Sequence, residues 1–259
     1  MVELQYSDIA GVARATALEA AECAKETAAK SLDVERKGRI DLVTNADRAA
    51  EQHILQRLRS QFPEHSILAE EAGRIGSPLG QAQWIVDPLD GTTNFAHGFP
   101  YWSVSIAWAS DGKVQVGAVA DSHGGCYWAV RGAGAWYNEE RLAVSDTASL
   151  EQSLLVTGFS YTIRDDSDTN MEAFRRLTLQ TQGVRRTGSA ALDLCMVAAG
   201  ALDAYWERHM NSWDLAAGTL IVEEAGGQVT DADGTPYTLE SDSVLASNGK
   251  LHDLVAAYL

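Results

Sequence analysis

Asp87-Pro88-Leu89-Asp90-Gly91-Thr92-Thr93-Asn94-Phe95 decides how this chain reads. It follows Trp84-Ile85-Val86, an apolar and partly β-branched run that reads as a buried strand. A residue before proline is biased to extended backbone, so Asp87 does not start a helix. Pro88 fixes φ and has no N–H to satisfy. The chain is therefore expected to leave the strand and turn sharply, with Asp87 and Asp90 on the turn. Gly91 permits an unusual dihedral or a close backbone approach. Thr92, Thr93 and Asn94 are helix-capping types, so a short helix is expected there, with free N–H groups facing outward.

Such a turn concentrates two opposite chemistries. Asp87, Asp90 and the Leu89 carbonyl are hard oxygen donors of the kind Mg²⁺ takes. The N–H groups after Gly91 offer a cradle for an anion. A metal site beside a phosphate site is the equipment for metal-assisted hydrolysis of a phosphate ester. An ordinary Asp-Pro turn with a Thr cap would explain a bare Asp-Pro-x-Asp. The length of the whole string favours the site.

Upstream, Ile9, Val12, Thr16, Ala20, Cys23 and Thr27 recur at helical spacing and predict a helix from Ser7 to Lys30. Ile40 to Val43 reads as a strand. Asn45 is the expected cap of a helix from Ala46 to Phe62, with Asp47 in its first turn, where a carboxylate suits the helix dipole. Ser66 to Ala69 reads as a strand running into Glu70-Glu71. Downstream, Ser103–Trp108, Val114–Val119 and Cys126–Val130 read as strands, and Asp111-Gly112 signals a hairpin, so this part is antiparallel. Leu154 to Thr157 is a further strand, 160–169 a polar rim loop, and Met171 to Gln182 a helix. Val184-Arg185-Arg186 suits solvent or a subunit interface better than direct chemistry. Gly188-Ser189 opens a helix from Ala190 to Ala199, ended by Gly200. Leu202 to Glu207 reads as a strand ending in a carboxylate. Asp214 is the expected N-cap of a helix from Leu215 to Ala225, and Lys250 to Leu259 is expected to be the closing helix. The pattern is α/β or α+β with two sheets.

The Asp87–Phe95 string resembles the first signature of the inositol monophosphatase family. Trp213-Asp214-Leu215-Ala216-Ala217-Gly218, followed by Glu223-Glu224-Ala225-Gly226-Gly227, resembles the second. The resemblance covers nearly the whole chain. It implies a layered αβαβα sandwich of the inositol monophosphatase and fructose-1,6-bisphosphatase type, as a single domain over 1–259. The α+β half is about 1–150 and the α/β half about 151–259. It further implies a homodimer, two or three Mg²⁺ ions, and inhibition by Li⁺.

The implied metal set is Glu70, Asp87, the Leu89 carbonyl, Asp90 and Asp214. The implied catalytic group is Thr92 with Asp47 and Glu70, orienting a metal-bound water for in-line attack. Gly91 and Thr92 would receive the phosphoryl group. The Gly188-Ser189-Ala190 backbone, Asp90, Asp214 and Glu207 would meet the ring of inositol 1-phosphate. Glu71 is structural in this pattern, and Ala69 stands where the family more often has Gly. His97 reads as a structural residue near a turn, because the metal mechanism already supplies its base. The stretch Arg208-His209-Met210-Asn211-Ser212 departs from the usual linker, which leaves the ring open. A histidinol-phosphate or broader sugar-phosphate phosphatase is the alternative on the same scaffold. A partner of the transcription machinery is the non-enzyme alternative.

Composition bears on partners. The net charge of −16 repels nucleic acid, anionic membrane and a phosphorylated substrate alike, so a phosphatase with this charge needs bound cations. Direct nucleic-acid binding is not expected. Cys23, Cys126 and Cys195 are odd in number and have no metal-type spacing. With no long apolar run or leader-like start, they point to a reducing, cytoplasmic setting.

Overall fold

This computed structural model describes residues 2–76, 82–161, 163–164 and 169–259. The chain opens with α1 (Val2–Lys30), the ribbon β1 (Val34–Arg36) and β2 (Leu42–Thr44), and α2 (Asn45–Gln61). Next come β3 (Ser66–Ala69), β4 (Gly73–Ile75), β5 (Ala82–Asp90) and the short α3 (Thr92–Ala96). A meander follows, of β6 (Ser103–Ser110), β7 (Lys113–Asp121), β8 (Cys126–Val130), β9 (Gly134–Tyr137) and β10 (Glu140–Arg141). The later half holds β11 (Leu154–Thr157), α4 (Met171–Thr178), β12 (Gly183–Arg185), α5 (Ala190–Ala198) and β13 (Ala204–Arg208). It closes with α6 (Ser212–Glu224), β14 (Gln228–Thr230), β15 (Ser243–Ser247) and α7 (His252–Ala256).

Two large sheets organise these elements. The first has the order β10-β9-β8-β7-β6-β5-β3-β4 and is antiparallel except for β3 against β5. Its side chains alternate between two cores, as the strand period requires. Trp84, Val86, Ile106 and Trp108 pack with α1 and α2. Ile85, Ala107 and Val119 face the other way, into a core shared with α5 and α6. Gly117 on β7 lets α6 close in, because a Cβ there would lie 2.8 Å from the Ala217 carbonyl oxygen. The second sheet has the order β12-β11-β13-β15-β14 and covers the far side of α5 and α6. Leu177 of α4 and Val255 of α7 close its outer face. The layers run helix, sheet, helix, sheet, helix, so the αβαβα expectation holds.

Several local expectations change. The chain does not leave the strand at Asp87, since β5 continues through Pro88 to Asp90. The pairing slips there, with Asp87 opposite Ser105 and Asp90 opposite Ser103. Two residues, Pro88 and Leu89, thus face one, a bulge that tolerates a residue with no N–H. Gly91 then turns the chain with φ 94°, and Thr92 starts α3 as expected. The cap of α2 is Thr44, not Asn45, because the Thr44 hydroxyl reaches the N–H groups of Ala46 and Asp47. Asn45 instead ties down the preceding loop through the Ser31 carbonyl and the Asp33 N–H.

The cap of α6 is Asn211, and Asp214 lies inside the helix. β13 begins at Ala204 and runs one residue past Glu207. α4 ends at Thr178 and α7 at Ala256, both short of the expected spans. The expected rim loop over 160–169 lies partly outside the described residues. Asp111 and Gly112, at φ 52° and 72°, make the expected hairpin turn between β6 and β7.

Candidate active site

One cavity opens where the bulged end of β5 meets the first turns of α5 and α6. It lies beyond the C-terminal ends of β11 and β13. The strand order β12-β11-β13 switches direction at β11, which is where open α/β sheets place their ligands. Glu70, Asp87, Leu89, Asp90, Gly91 and Thr92 line one side. Gly188, Ser189, Ala190, Glu207 and Asp214 line the other. Of the residues expected from the sequence, Asp47 alone is not in the wall. It stands behind Thr92, whose hydroxyl lies 2.9 Å from Asp47 Oδ1.

The two readings of Asp47 turn out to be compatible. Its Oδ2 accepts the Thr44 N–H at 2.9 Å and completes a capping box, while Oδ1 faces Thr92. The Thr92 hydroxyl also lies 3.0 Å from the Leu89 carbonyl oxygen. A hydroxyl has one hydrogen, so it donates to one of these acceptors at a time. Asp214 has a similar position on α6, where its Oδ2 accepts the Asn211 N–H at 2.7 Å. Asp90 serves α5 from outside the helix. Its Oδ1 accepts the Ala190 N–H at 3.1 Å, and its Oδ2 accepts the Ala191 N–H at 2.9 Å and the Ser189 hydroxyl. Three helix N-termini, each favourable to negative charge, thus hold the carboxylates of one site.

The crowding has an electrostatic signature. Burial pushes the Asp87 carboxyl well above its usual range, and Glu70, Asp90 and Asp214 push it further. Asp214 is raised by burial, with Asp90, Glu70 and Glu207 adding to it. Glu70 is raised to about 7 by burial, although Lys37 opposes the shift. Lys37 was not singled out in the sequence. Its ammonium lies 2.7 Å from Glu70 Oε1 and also pairs with Glu71. No group of three or more His, Cys, Asp or Glu side chains among the described residues forms a ready-made metal site. Glu70 is engaged with Lys37, and Asp90 with the first turn of α5. The donors nevertheless fit Mg²⁺ by chemistry. They are hard oxygens, they crowd one another, and the cation drawn among them is a lysine.

The opposite wall is more polar than acidic. Glu207 is 8% exposed, so it is not the solvated strand end that its position allowed. The Tyr205 hydroxyl donates to its Oε2 at 2.6 Å. Gly158 packs directly on its carboxylate, leaving no room for a Cβ. Burial raises Glu207 to about 7, against the lowering influence of Tyr205 and Arg186. Asn94 joins the two walls, donating from Nδ2 to the carbonyls of Tyr101 at 2.7 Å and Thr187 at 2.8 Å. Asp193 also escaped the sequence reading. It is 1% exposed and accepts from the hydroxyls of Tyr101 and Thr187. Its position in the first turn of an apolar helix carries no signal for that role. Arg186 lines the cavity, and Arg185 lies on the edge strand β12. His97 is an exposed residue at the end of α3, away from the cavity wall.

Known proteins resemble this chain over nearly its whole length. The model of the inositol monophosphatase family matches residues 5–259. Inositol-1-monophosphatase of Synechocystis sp. is 48% identical over 225 residues, covering 86% of this chain and 78% of the relative. Nus factor SuhB of Pseudomonas aeruginosa is 45% identical over 245 residues, covering 90% of each. The solved inositol monophosphatase of Anabaena (Nostoc) sp. PCC 7120 is 42% identical and superposes with a TM-score of 0.88. That match covers 97% of this chain and 95% of the other.

Proposed function

Because this chain belongs to the inositol monophosphatase family, we propose that its cavity hydrolyses inositol 1-phosphate to inositol and phosphate. The observation that carries the reading is the sharing of one cavity by the crowded carboxylates and the buried Glu207. The first set suits a metal-bound phosphoryl group, and the second suits a hydroxylated ring.

The family is Mg²⁺-dependent. Glu70, Asp87, Asp90, Asp214 and the Leu89 carbonyl would hold two or three ions. Bound there, Mg²⁺ supplies Lewis acidity at the phosphate and acidifies water. The chain's own residues do the rest. With the Leu89 carbonyl engaged by a metal ion, the Thr92 hydroxyl would donate to Asp47 Oδ1 alone. The Thr92 oxygen would then accept the proton of the attacking water while the Thr92 hydrogen passes to Asp47 Oδ1, which takes up the charge balance. Asp47 is held in place for this by its bonds to Thr44, and burial raises its proton affinity. The N–H groups of Gly91 and Thr92 would receive the phosphoryl oxygens for in-line attack. Thr92→Ala is expected to lower kcat by more than it raises KM, because the hydroxyl acts on water. Steady-state kinetics check this, and a change confined to KM would move Thr92 to a binding role.

Glu207 would accept hydrogen bonds from ring hydroxyls. A charge-assisted bond contributes ~1.5–3 kcal/mol, so Glu207→Gln should lower kcat/KM for inositol 1-phosphate about tenfold or more. A small aryl phosphate has no ring hydroxyls and should change little. The pH dependence has a definite sign. Below about 7 the Glu207 carboxyl is protonated and loses acceptor strength. At saturating Mg²⁺ the inositol substrate should therefore lose more kcat/KM on the acid side than the aryl substrate does, and Glu207→Gln should remove that difference. An equal fall for both substrates would place Glu207 with the metal site instead. Comparing inositol 1-phosphate with histidinol phosphate and fructose 1,6-bisphosphate tests the alternative substrates.

The relatives named Nus factor SuhB keep a second role open, as a protein partner in transcription. The net charge of −16 argues against direct contact with nucleic acid in such a role. A homodimer accords with the family and with exposed Phe99, Met171 and Leu179. Light scattering after gel filtration measures it. The two halves share this cavity, which supports one domain. The three unpaired cysteines support a cytoplasmic location. No helix among the described residues is long and apolar enough to cross a membrane.

A further inference from the structure

α2 carries a second acidic side chain one turn beyond Asp47. Residues four apart on a helix share a face, so Glu51 points toward the same side as Asp47. Glu51 is 6% exposed and outside the catalytic set described above. Its Oε2 accepts two backbone N–H groups, that of Glu71 at 2.9 Å and that of Ala72 at 3.3 Å. These lie in the tight connection from β3 to β4, immediately after Glu70. Glu70 itself is fixed on the other side, where its N–H reaches the Val86 carbonyl at 3.2 Å. A buried carboxylate is costly and is kept where it satisfies donors that an apolar side chain would leave unpaired.

We infer that Glu51 is a positioning residue, which fixes the turn presenting Glu70 to Mg²⁺ through the N–H groups of Glu71 and Ala72. The inference rests on the reading of Glu70 as a metal ligand. One rigid helix then sets two parts of the site in register. Asp47 orients Thr92, and Glu51 orients Glu70. Both bonds use a single oxygen of Glu51, so the placing of that acceptor sets the turn, and losing the charge would weaken the bonds without moving them. An amide oxygen in the same place can accept both N–H groups. A carboxylate one carbon shorter cannot reach them.

Isothermal titration of Mg²⁺ into metal-stripped protein tests this, with the half-saturating Mg²⁺ for hydrolysis measured beside it. Glu51→Ala is expected to weaken Mg²⁺ binding about tenfold or more, the scale on which partners of ligands act. kcat at saturating Mg²⁺ should change much less. Glu51→Gln should bind Mg²⁺ nearly as the parent does, and Glu51→Asp should bind it more weakly. The Gln and Asp variants decide the matter even if Glu51→Ala does not fold. Parent-like Mg²⁺ affinity in both Glu51→Ala and Glu51→Asp, with only a lower melting temperature, would make Glu51 a stability residue and overturn the inference. Retention in Glu51→Asp with loss in Glu51→Gln would overturn it in favour of charge. Glu70→Gln separates the premise. If that variant binds Mg²⁺ unchanged, it is the ligand reading of Glu70 that fails.

Discussion

Stripping the protein of divalent cations is expected to abolish hydrolysis, and Mg²⁺ to restore it. Asp87 is buried and Asp214 half-buried, and the acids around them raise their proton affinity further. Without a metal, the cost of gathering them is met by protonation, while Lys37 pairs with Glu70. Neither response activates water. Thr92 cannot take over, because its hydroxyl has only Asp47 and the Leu89 carbonyl to work with. Cys126 and Cys195 offer no nucleophile, since burial pushes both thiols up and away from the reactive thiolate.

Mg²⁺ must also displace protons and the Lys37 ammonium. Glu70 is raised to about 7, so it binds metal as a carboxylate more readily above that pH than below it. Apparent Mg²⁺ affinity should therefore rise as pH increases through 7. Mg²⁺ should also stabilise the folded chain, by about 2.7 kcal/mol at a hundred times its dissociation constant. Activity and melting temperature after exhaustive chelation and gel filtration, then across a Mg²⁺ titration at several pH values, measure all of this. Hydrolysis that survives chelation would sink the metal mechanism.

What the sequence made legible follows from how locally each feature is determined. The stretch Asp87 to Phe95 is a continuous run, and its donors and the start of α3 could be read along it. The path of its backbone could not. Pro88 argues for a break only if its missing N–H is needed by a neighbouring strand, and the bulge opposite Ser103 and Ser105 removes that need. Asp47 and Asp214 were each open to a capping and a chemical reading. The two readings do not exclude each other. A carboxylate has two oxygens, and at Asp47 one caps α2 while the other meets Thr92. Lys37, Asp193 and Glu51 were not legible. Each acts through at least one partner far away in the chain, and nothing in the residues around it signals that partner. Glu207 stood between these cases. Its place at a strand end was visible, but its burial depends on Gly158 and Tyr205.

Asp214→Asn and Asp90→Asn are both expected to lose at least ~100-fold in turnover, the scale of removing an electrostatic element from such a site. Their effects on folding should differ, and the difference follows from the hydrogen bonds. Asp214 uses one oxygen structurally, accepting the Asn211 N–H at 2.7 Å. An asparagine can turn its carbonyl oxygen to that N–H and its amide toward the cavity. It also removes an acid that the crowded cluster must hold either charged or protonated, so Asp214→Asn should melt no lower than the parent in the absence of metal. Asp90 has no such freedom. Its Oδ1 accepts from the Ala190 N–H, and its Oδ2 from the Ala191 N–H and the Ser189 and Ser103 hydroxyls. Either orientation of an asparagine sets an NH₂ group against a backbone N–H at the start of α5. A buried donor left unpaired costs ~1–3 kcal/mol, so Asp90→Asn should melt measurably lower. Calorimetry of metal-free protein beside steady-state kinetics separates the two. Near-normal turnover in either variant would return that residue to a purely structural role. Equal melting temperatures would show that α5 does not depend on Asp90 for its first turn.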